Sequence, residues 1–235
     1  MIVALDVGSL DAALALVTRL GDDCDFYKVG SELFTAAGPA VVRTLREHAK
    51  DVFLDLKLHD IPNTVRGAAR SAAGLGARLL TVHASGGRDM IAAAVDGARA
   101  ECGVMAVTVL TSLDGPALSA AWGKAVRDVP DEVLRLSDVA RAGGARGIVC
   151  AGADAPAVLA RHGDALELLV PGIRLPGGEI HDQARVVTPR GAVEAGATYL
   201  VAGRAVTSAA DPVAALRRIR SDMAGAARGR PAPRR

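Results

Sequence analysis

The 235-residue chain is predicted to fold as one α/β domain, a closed (β/α)8 TIM barrel. Short apolar runs rich in β-branched residues alternate with longer Ala/Leu/Arg stretches of helical period. They recur about once per 30 residues, the length a βαβ unit needs. The runs are continuously apolar, as in parallel strands buried on both faces. The length also fits, since an α/β barrel of about 250 residues is one domain.

The first predicted strand, Ile2–Leu5, leads into the helix-like Leu10–Leu20. Phe26–Val29 precedes Ala40–His48, Val52–Leu56 precedes Val65–Leu75, and Leu79–Val82 precedes Asp89–Ala100. The remaining strands are Val104–Leu110, Gly147–Cys150, Leu168–Val170 and Tyr199–Val201, with Pro212–Met223 as the closing helix. Eight such units favour a closed barrel over an open doubly wound sheet. The barrel is expected to occupy residues 1–224. Residues 225–235, GAARGRPAPRR, are rich in Pro, Gly and Arg and are expected to form a disordered tail.

Composition removes several function classes. Arg228, Arg230, Arg234 and Arg235 more than account for the formal charge of +2, so the body is net acidic. With 3% aromatic residues it offers neither a basic surface nor stacking platforms for nucleic acid. No apolar run approaches the roughly 18 residues of a membrane span. The opening MIVALDVGSL lacks a basic n-region and meets Asp6 at once, unlike a secretory signal. Cys24, Cys102 and Cys150 show no metal-ligand spacing, and their odd number argues against a disulfide framework. A reducing, cytoplasmic setting is expected. Of 28 basic residues only four are lysines: Lys28, Lys50, Lys57 and Lys124.

Barrel enzymes carry their chemistry where strands end and βα loops begin. Asp6 follows strand one, Lys28 ends strand two, and strand three carries Asp55 and Lys57, with Asp60 just beyond. His83 ends strand four, Thr111 and Ser112 follow strand five, Arg174 follows strand seven, and Gly203-Arg204 follow strand eight. Nearly every charged residue near a strand is thus expected at the C-terminal mouth. Alternation along a strand would aim Asp55 and Lys57 together into that mouth, with Leu56 turned away. Carboxylates beside a lysine keep its ammonium protonated, making it a proton donor rather than a Schiff-base nucleophile. A purely structural ion network is the competing reading.

The glycine-rich stretches PGIRLPGGEIHDQ and VAGRAVT follow strands seven and eight, where barrels commonly hold phosphate. Arg174 or Arg204 could pair with the dianion, and PGGEIHDQ is long enough to serve as a lid. His83 reads as a supporting residue as readily as a catalytic one, and His59 reads as structural. Thr111 and Ser112 suit a planar polar ring, against an equally good helix N-cap reading of TSLD. Arg66, Arg70 and Trp122 read as surface or helix-packing residues.

LDVGS, FYKVGSELF, FLDLKLHDIPNTV, VHASGG, VTVLTS, PGIR with a downstream DQxRxxTP, and VAGRAVT occur in this order. Together they resemble the orotidine 5′-phosphate decarboxylase family, from Ile2 to Pro212. DLKxxDIPNT is specific to that family, whereas DxKxxD alone is shared by a wider group of phosphate-binding barrels. The resemblance implies cofactor-free conversion of orotidine 5′-monophosphate to UMP and carbon dioxide, with no metal. It implies that Lys57 protonates C6, that Asp55 lies beside the leaving carboxylate, and that Asp60 and Thr64 come from the partner of a homodimer. Lys28 and Asp6 match ribose ligands. Ile61, Pro62 and Asn63 belong to the same substrate-binding turn as Thr64. Thr111 or Ser112 would meet the pyrimidine, and Arg174, Gln183, Gly203 and Arg204 the phosphate. The alternatives are a metal-dependent sugar-phosphate decarboxylase or aldolase of the same barrel group, and a catalytically dead nucleotide-binding barrel. Relatives of the metal-dependent kind typically carry a glutamate where this chain has Lys28.

Overall fold

The computed structural model describes residues 1–174 and 187–227. Eight parallel strands close into one barrel in sequence order, β1 (Ile2–Ala4), β2 (Phe26–Gly30), β3 (Asp51–Leu58), β4 (Leu79–His83), β5 (Gly103–Val107), β6 (Gly147–Val149), β7 (Glu167–Val170) and β8 (Tyr199–Ala202). β8 returns to β1 through the pairs Ile2 with Val201 and Val3 with Ala202. The predicted barrel is what forms.

The helices are α1 (Leu10–Leu20), α2 (Ser31–Ala37), α3 (Ala40–Glu47), α4 (Pro62–Gly74), α5 (Gly87–Ala98), α6 (Gly115–Trp122), α7 (Val129–Ala142), α8 (Ala155–His162), α9 (Pro189–Glu194), α10 (Arg204–Thr207) and α11 (Pro212–Ala227). Caps set several of their starts. Ser9 accepts from the Ala12 N–H ahead of α1, and Thr188 accepts from Gly191 ahead of α9. Asp114, not Thr111 or Ser112, caps α6 by accepting from Ala117 N–H at 2.9 Å. α11 runs through Ala227, past the expected end of the barrel at residue 224, and residues 228–235 lie outside the described part.

Strand alternation divides the core in two. Ile2, Ala4, Phe26, Phe53, Leu79, Met105, Leu169 and Val201 fill the barrel interior. Their neighbours Val3, Leu5, Tyr27, Val29, Val52, Leu54, Leu80 and Val82 pack outward against the helices. Burying one such side chain is worth about 1.5–3 kcal/mol, so the barrel wall is a stiff platform for whatever stands at its rim.

One expectation fails. The N-terminal mouth is also charged. Arg78 and Arg46 both pair with Asp51, Arg146 makes two hydrogen bonds to Glu167 at 2.8 and 3.0 Å, and Lys50 pairs with Asp25. Arg78 also lies over the Phe26 ring, 5.2 Å from its centroid. Apart from Arg46 in α3, these side chains come from the first residues of strands and those just before them.

Candidate active site

A cavity of about 680 Å³ opens at the C-terminal mouth. Asp6, Lys28, Asp55, Lys57, Thr111, Arg174, Gly203 and Arg204 line it, over an apolar floor that includes Phe53, Val107, Val149, Leu169 and Val201. Eight of the predicted site residues therefore converge. Ser112 does not line the cavity, nor do Asp60, Ile61, Pro62, Asn63 and Thr64. Gln183 and the whole segment expected to form a lid, PGGEIHDQ, lie outside the described residues.

The charged groups form an alternating chain. Lys28 Nζ donates to Asp6 Oδ1 at 2.7 Å and stands 3.6 Å from Asp55 Oδ2. Lys57 Nζ donates to the other Asp55 oxygen at 2.8 Å. Gly30 makes the first pair possible. A Cβ there would come within 2.8 Å of Lys28 Nζ and 3.1 Å of Asp6 Oδ1. Gly30 is paired in register with Asp55, so the bare backbone faces the place where the charges gather.

Lys57 reaches its position by a route that simple alternation does not describe. The β3–β4 register runs from Leu54 opposite Leu80 to Leu58 opposite Val82, four steps on one strand against two on the other. Such a bulge bends its strand and re-aims a side chain. Lys57 sits in it at φ 51°, a left-handed conformation that costs a non-glycine residue on the order of 1–3 kcal/mol. Its backbone N–H donates to Thr81 Oγ1 at 2.9 Å, and that hydroxyl donates to Asp55 Oδ1, also at 2.9 Å. Thr81 carries no charge and lies inside β4, so inspection of strand ends gave no signal for it. Alternation did offer one, since Thr81 shares the inward face of Leu79 and His83.

Burial alone would raise the Asp55 carboxyl. The charges of Lys57 and Lys28, with the hydrogen bonds from Lys57 and Thr81, outweigh it and hold the group below its ordinary value. It is a carboxylate at neutral pH. His83 is shifted downward, first by burial and then by His59 and Lys57. Its ring lies 5.4 Å from that of His59, so both histidines flank the site as a packed pair outside the cavity lining. Asp60 turns a carboxylate oxygen back to the Ile61 N–H at 2.6 Å, and Ile61 is 67% exposed. Among the described residues of one chain, then, Lys57 pairs with Asp55 and not also with Asp60 as expected.

Beyond the ends of β7 and β8, Pro171, Gly172, Arg174, Gly203 and Arg204 also line the cavity. Gly172 has φ 77°, which lets the chain turn sharply after β7. Gly203 precedes α10 without a side-chain cap, which leaves the first backbone N–H groups of that turn at the cavity wall. Thr207 and Ser208 extend the same wall and were not anticipated.

This geometry agrees with what the chain is similar to. The model of the orotidine 5′-phosphate decarboxylase / HUMPS family matches residues 1–219. The chain belongs to this family. Within it, an orotidine 5′-phosphate decarboxylase of Anaeromyxobacter sp. (strain K) is 50% identical over 221 residues, covering 94% of this chain and 96% of that one. That of Cutibacterium acnes is 46% identical, covering 94% of each. The crystal structure of the Lactobacillus acidophilus orotidine 5′-phosphate decarboxylase superposes with a TM-score of 0.84 at 36% identity, covering 95% of this chain and 98% of that one. Among the described residues, no helix is long and apolar enough to cross a membrane.

Proposed function

We propose that the chain decarboxylates orotidine 5′-monophosphate to UMP and carbon dioxide in pyrimidine biosynthesis, without a cofactor, and that Lys57 carries the chemistry. The supporting observation is the ion-paired Lys28–Asp55–Lys57 array above an apolar floor. When the C6–carboxylate bond breaks, its electron pair stays on an sp² carbon that no ring system of a cofactor relieves. A fixed ammonium at that position stabilises the developing charge without reorganising, which is the largest catalytic effect such a site can supply. The Lys57 ammonium then gives its proton to C6, and carbon dioxide leaves. Asp55 holds the ammonium in place and stands where the substrate carboxylate departs.

The remaining roles follow the same reading. Lys28 and Asp6 take the ribose hydroxyls, and Thr111, free of capping duty, takes the pyrimidine. Arg174, Gly203, Arg204 and Gln183 take the phosphate, whose binding energy is available to lower the barrier at the ring. The working unit is a homodimer in which the partner's Asp60 and the partner's Thr64 enter the site. Two facts support this: Asp60 to Thr64 do not line the cavity of their own chain, and Ile61 in that turn is an exposed apolar side chain. A cytoplasmic location suits the reaction.

Lys28 also weighs against the metal-dependent branch of the family, because its ammonium occupies the space between Asp6 and Asp55 that a divalent cation would need. The test is loss of orotidine 5′-monophosphate absorbance on incubation with EDTA-treated protein. Turnover unaffected by EDTA is expected. Activity that vanished with EDTA and returned only with a divalent cation would move the chain to the metal-dependent branch.

A further inference from the structure

Thr81 is fully buried, and its hydroxyl stands between the two halves of the catalytic pair. It accepts the Lys57 backbone N–H at 2.9 Å and donates to Asp55 Oδ1 at 2.9 Å. Asp55 Oδ1 in turn accepts from Lys57 Nζ at 2.8 Å. The three contacts close a ring that runs from the Lys57 backbone through the Thr81 hydroxyl and the Asp55 carboxylate to the Lys57 ammonium. A hydroxyl can fill this place because it accepts and donates through one oxygen. The ring lies within the span where β3 and β4 fall out of register, and Lys57 there holds φ 51°. Thr81 Oγ1 thus receives the N–H of the one residue whose backbone departs from the strand.

We propose that Thr81 is a positioning residue for decarboxylation, locking the Lys57 backbone and the Asp55 carboxylate to each other so that the ammonium keeps one place over C6. This rests on the decarboxylase reading above. A lysine stem has several rotatable bonds, and a carboxylate can swing about its own axis. Without an anchor both ends of the Lys57–Asp55 pair would move together, keeping their contact and losing their aim. The ring removes that freedom from the β4 side, while Lys28 approaches the other Asp55 oxygen from β2.

The charged and titratable groups facing Asp55 are Lys57 on its own strand, Lys28 from β2 and His83 from β4, with Asp6 behind Lys28. The Thr81 hydroxyl is among the groups that favour the charged carboxylate. Deleting it therefore shifts the Asp55 titration upward, a change that loosened packing alone would not produce.

Thr81→Val keeps the shape and removes the hydroxyl, whereas Thr81→Ser keeps the hydroxyl. Three quantities decide the matter: kcat, the affinity for UMP, and the pH at which the Asp55 carboxyl titrates by ¹³C NMR. For Thr81→Val, kcat is expected to fall roughly 10–100-fold with UMP affinity nearly unchanged, the scale on which a misplaced reacting group costs rate. Asp55 should titrate at higher pH in this variant, and Thr81→Ser should restore both values. Wild-type kcat in Thr81→Val, a serine variant as slow as the valine one, or an unmoved Asp55 titration would overturn the proposal. Should Thr81→Val fail to bind UMP, Thr81→Ala removes the hydroxyl without the second methyl and takes its place. If the wild type itself did not turn over, the decarboxylase reading would fall, and the titration would still decide whether Thr81 holds Asp55.

Discussion

The charged residues of the site depend on a residue that has no side chain. Gly30 leaves the opening in which Lys28 and Asp6 meet, and both partners are ends of flexible side chains. Gly30→Ala should therefore preserve the fold but push the pair apart. Breaking a charge-assisted hydrogen bond of this kind costs about 1.5–3 kcal/mol, or roughly 10–100-fold in kcat/KM. The loss should appear mainly in KM, because the pair is assigned to the ribose. Steady-state kinetics with an unchanged KM would separate Gly30 from substrate binding. The four lysines teach a related lesson. Two of them stand within reach of Asp55, and in the proposed function Lys57 could not be an arginine without losing a donor that gives up its proton. That much was legible from residue type and strand position alone. Thr81 was legible only as an inward-facing residue of β4, because an uncharged residue within a strand looks like any other β-former until its partners are known.

At the scale of elements, all eight strands were legible from continuous apolar runs, and no boundary differs by more than three residues. The two larger shifts have separate causes. β3 extends to Leu58 because its bulge keeps pairing with β4 beyond the point where alternation ends, and β5 stops at Val107 although the apolar run continues to Leu110. Thr108 turns its hydroxyl to the Val149 carbonyl at 2.8 Å, and the chain then leaves the sheet for the cavity rim. Hydrophobicity alone does not reveal where a strand becomes a lining loop. The N-terminal strand ends carry the opposite function to the site, since the Arg46–Asp51–Arg78 cluster holds β3 and β4 together far from the chemistry. Partly exposed pairs contribute little each, so Asp51→Asn should cost about 1 kcal/mol. For a chain of this size that is a fall in Tm of roughly 2–4 °C, with kcat/KM unchanged. Calorimetry and kinetics on the same sample check both halves, and a loss of activity without a loss of stability would contradict the division of labour.

For the whole molecule, the barrel brings eight strand ends to one rim, which is why residues from positions 6 to 204 share a single cavity. Single-chain geometry also explains what sequence order could not. Asp60 and Thr64 lie close to Lys57 along the chain, yet at the turn into α4 they do not line their own cavity. Their place in the proposed mechanism therefore depends on assembly. The net charge of +2 turned out to be the least informative number, because it is set by arginines in the last eight positions. In the proposed function the deciding feature is one ammonium held at 2.8 Å from a buried carboxylate. The most direct measurement is kcat of Lys57→Ala alongside its affinity for UMP. The ammonium's role as charge stabiliser and proton donor requires kcat to fall by several orders of magnitude, on the order of 10³-fold or more, while UMP still binds. Near-normal turnover in that variant would contradict it.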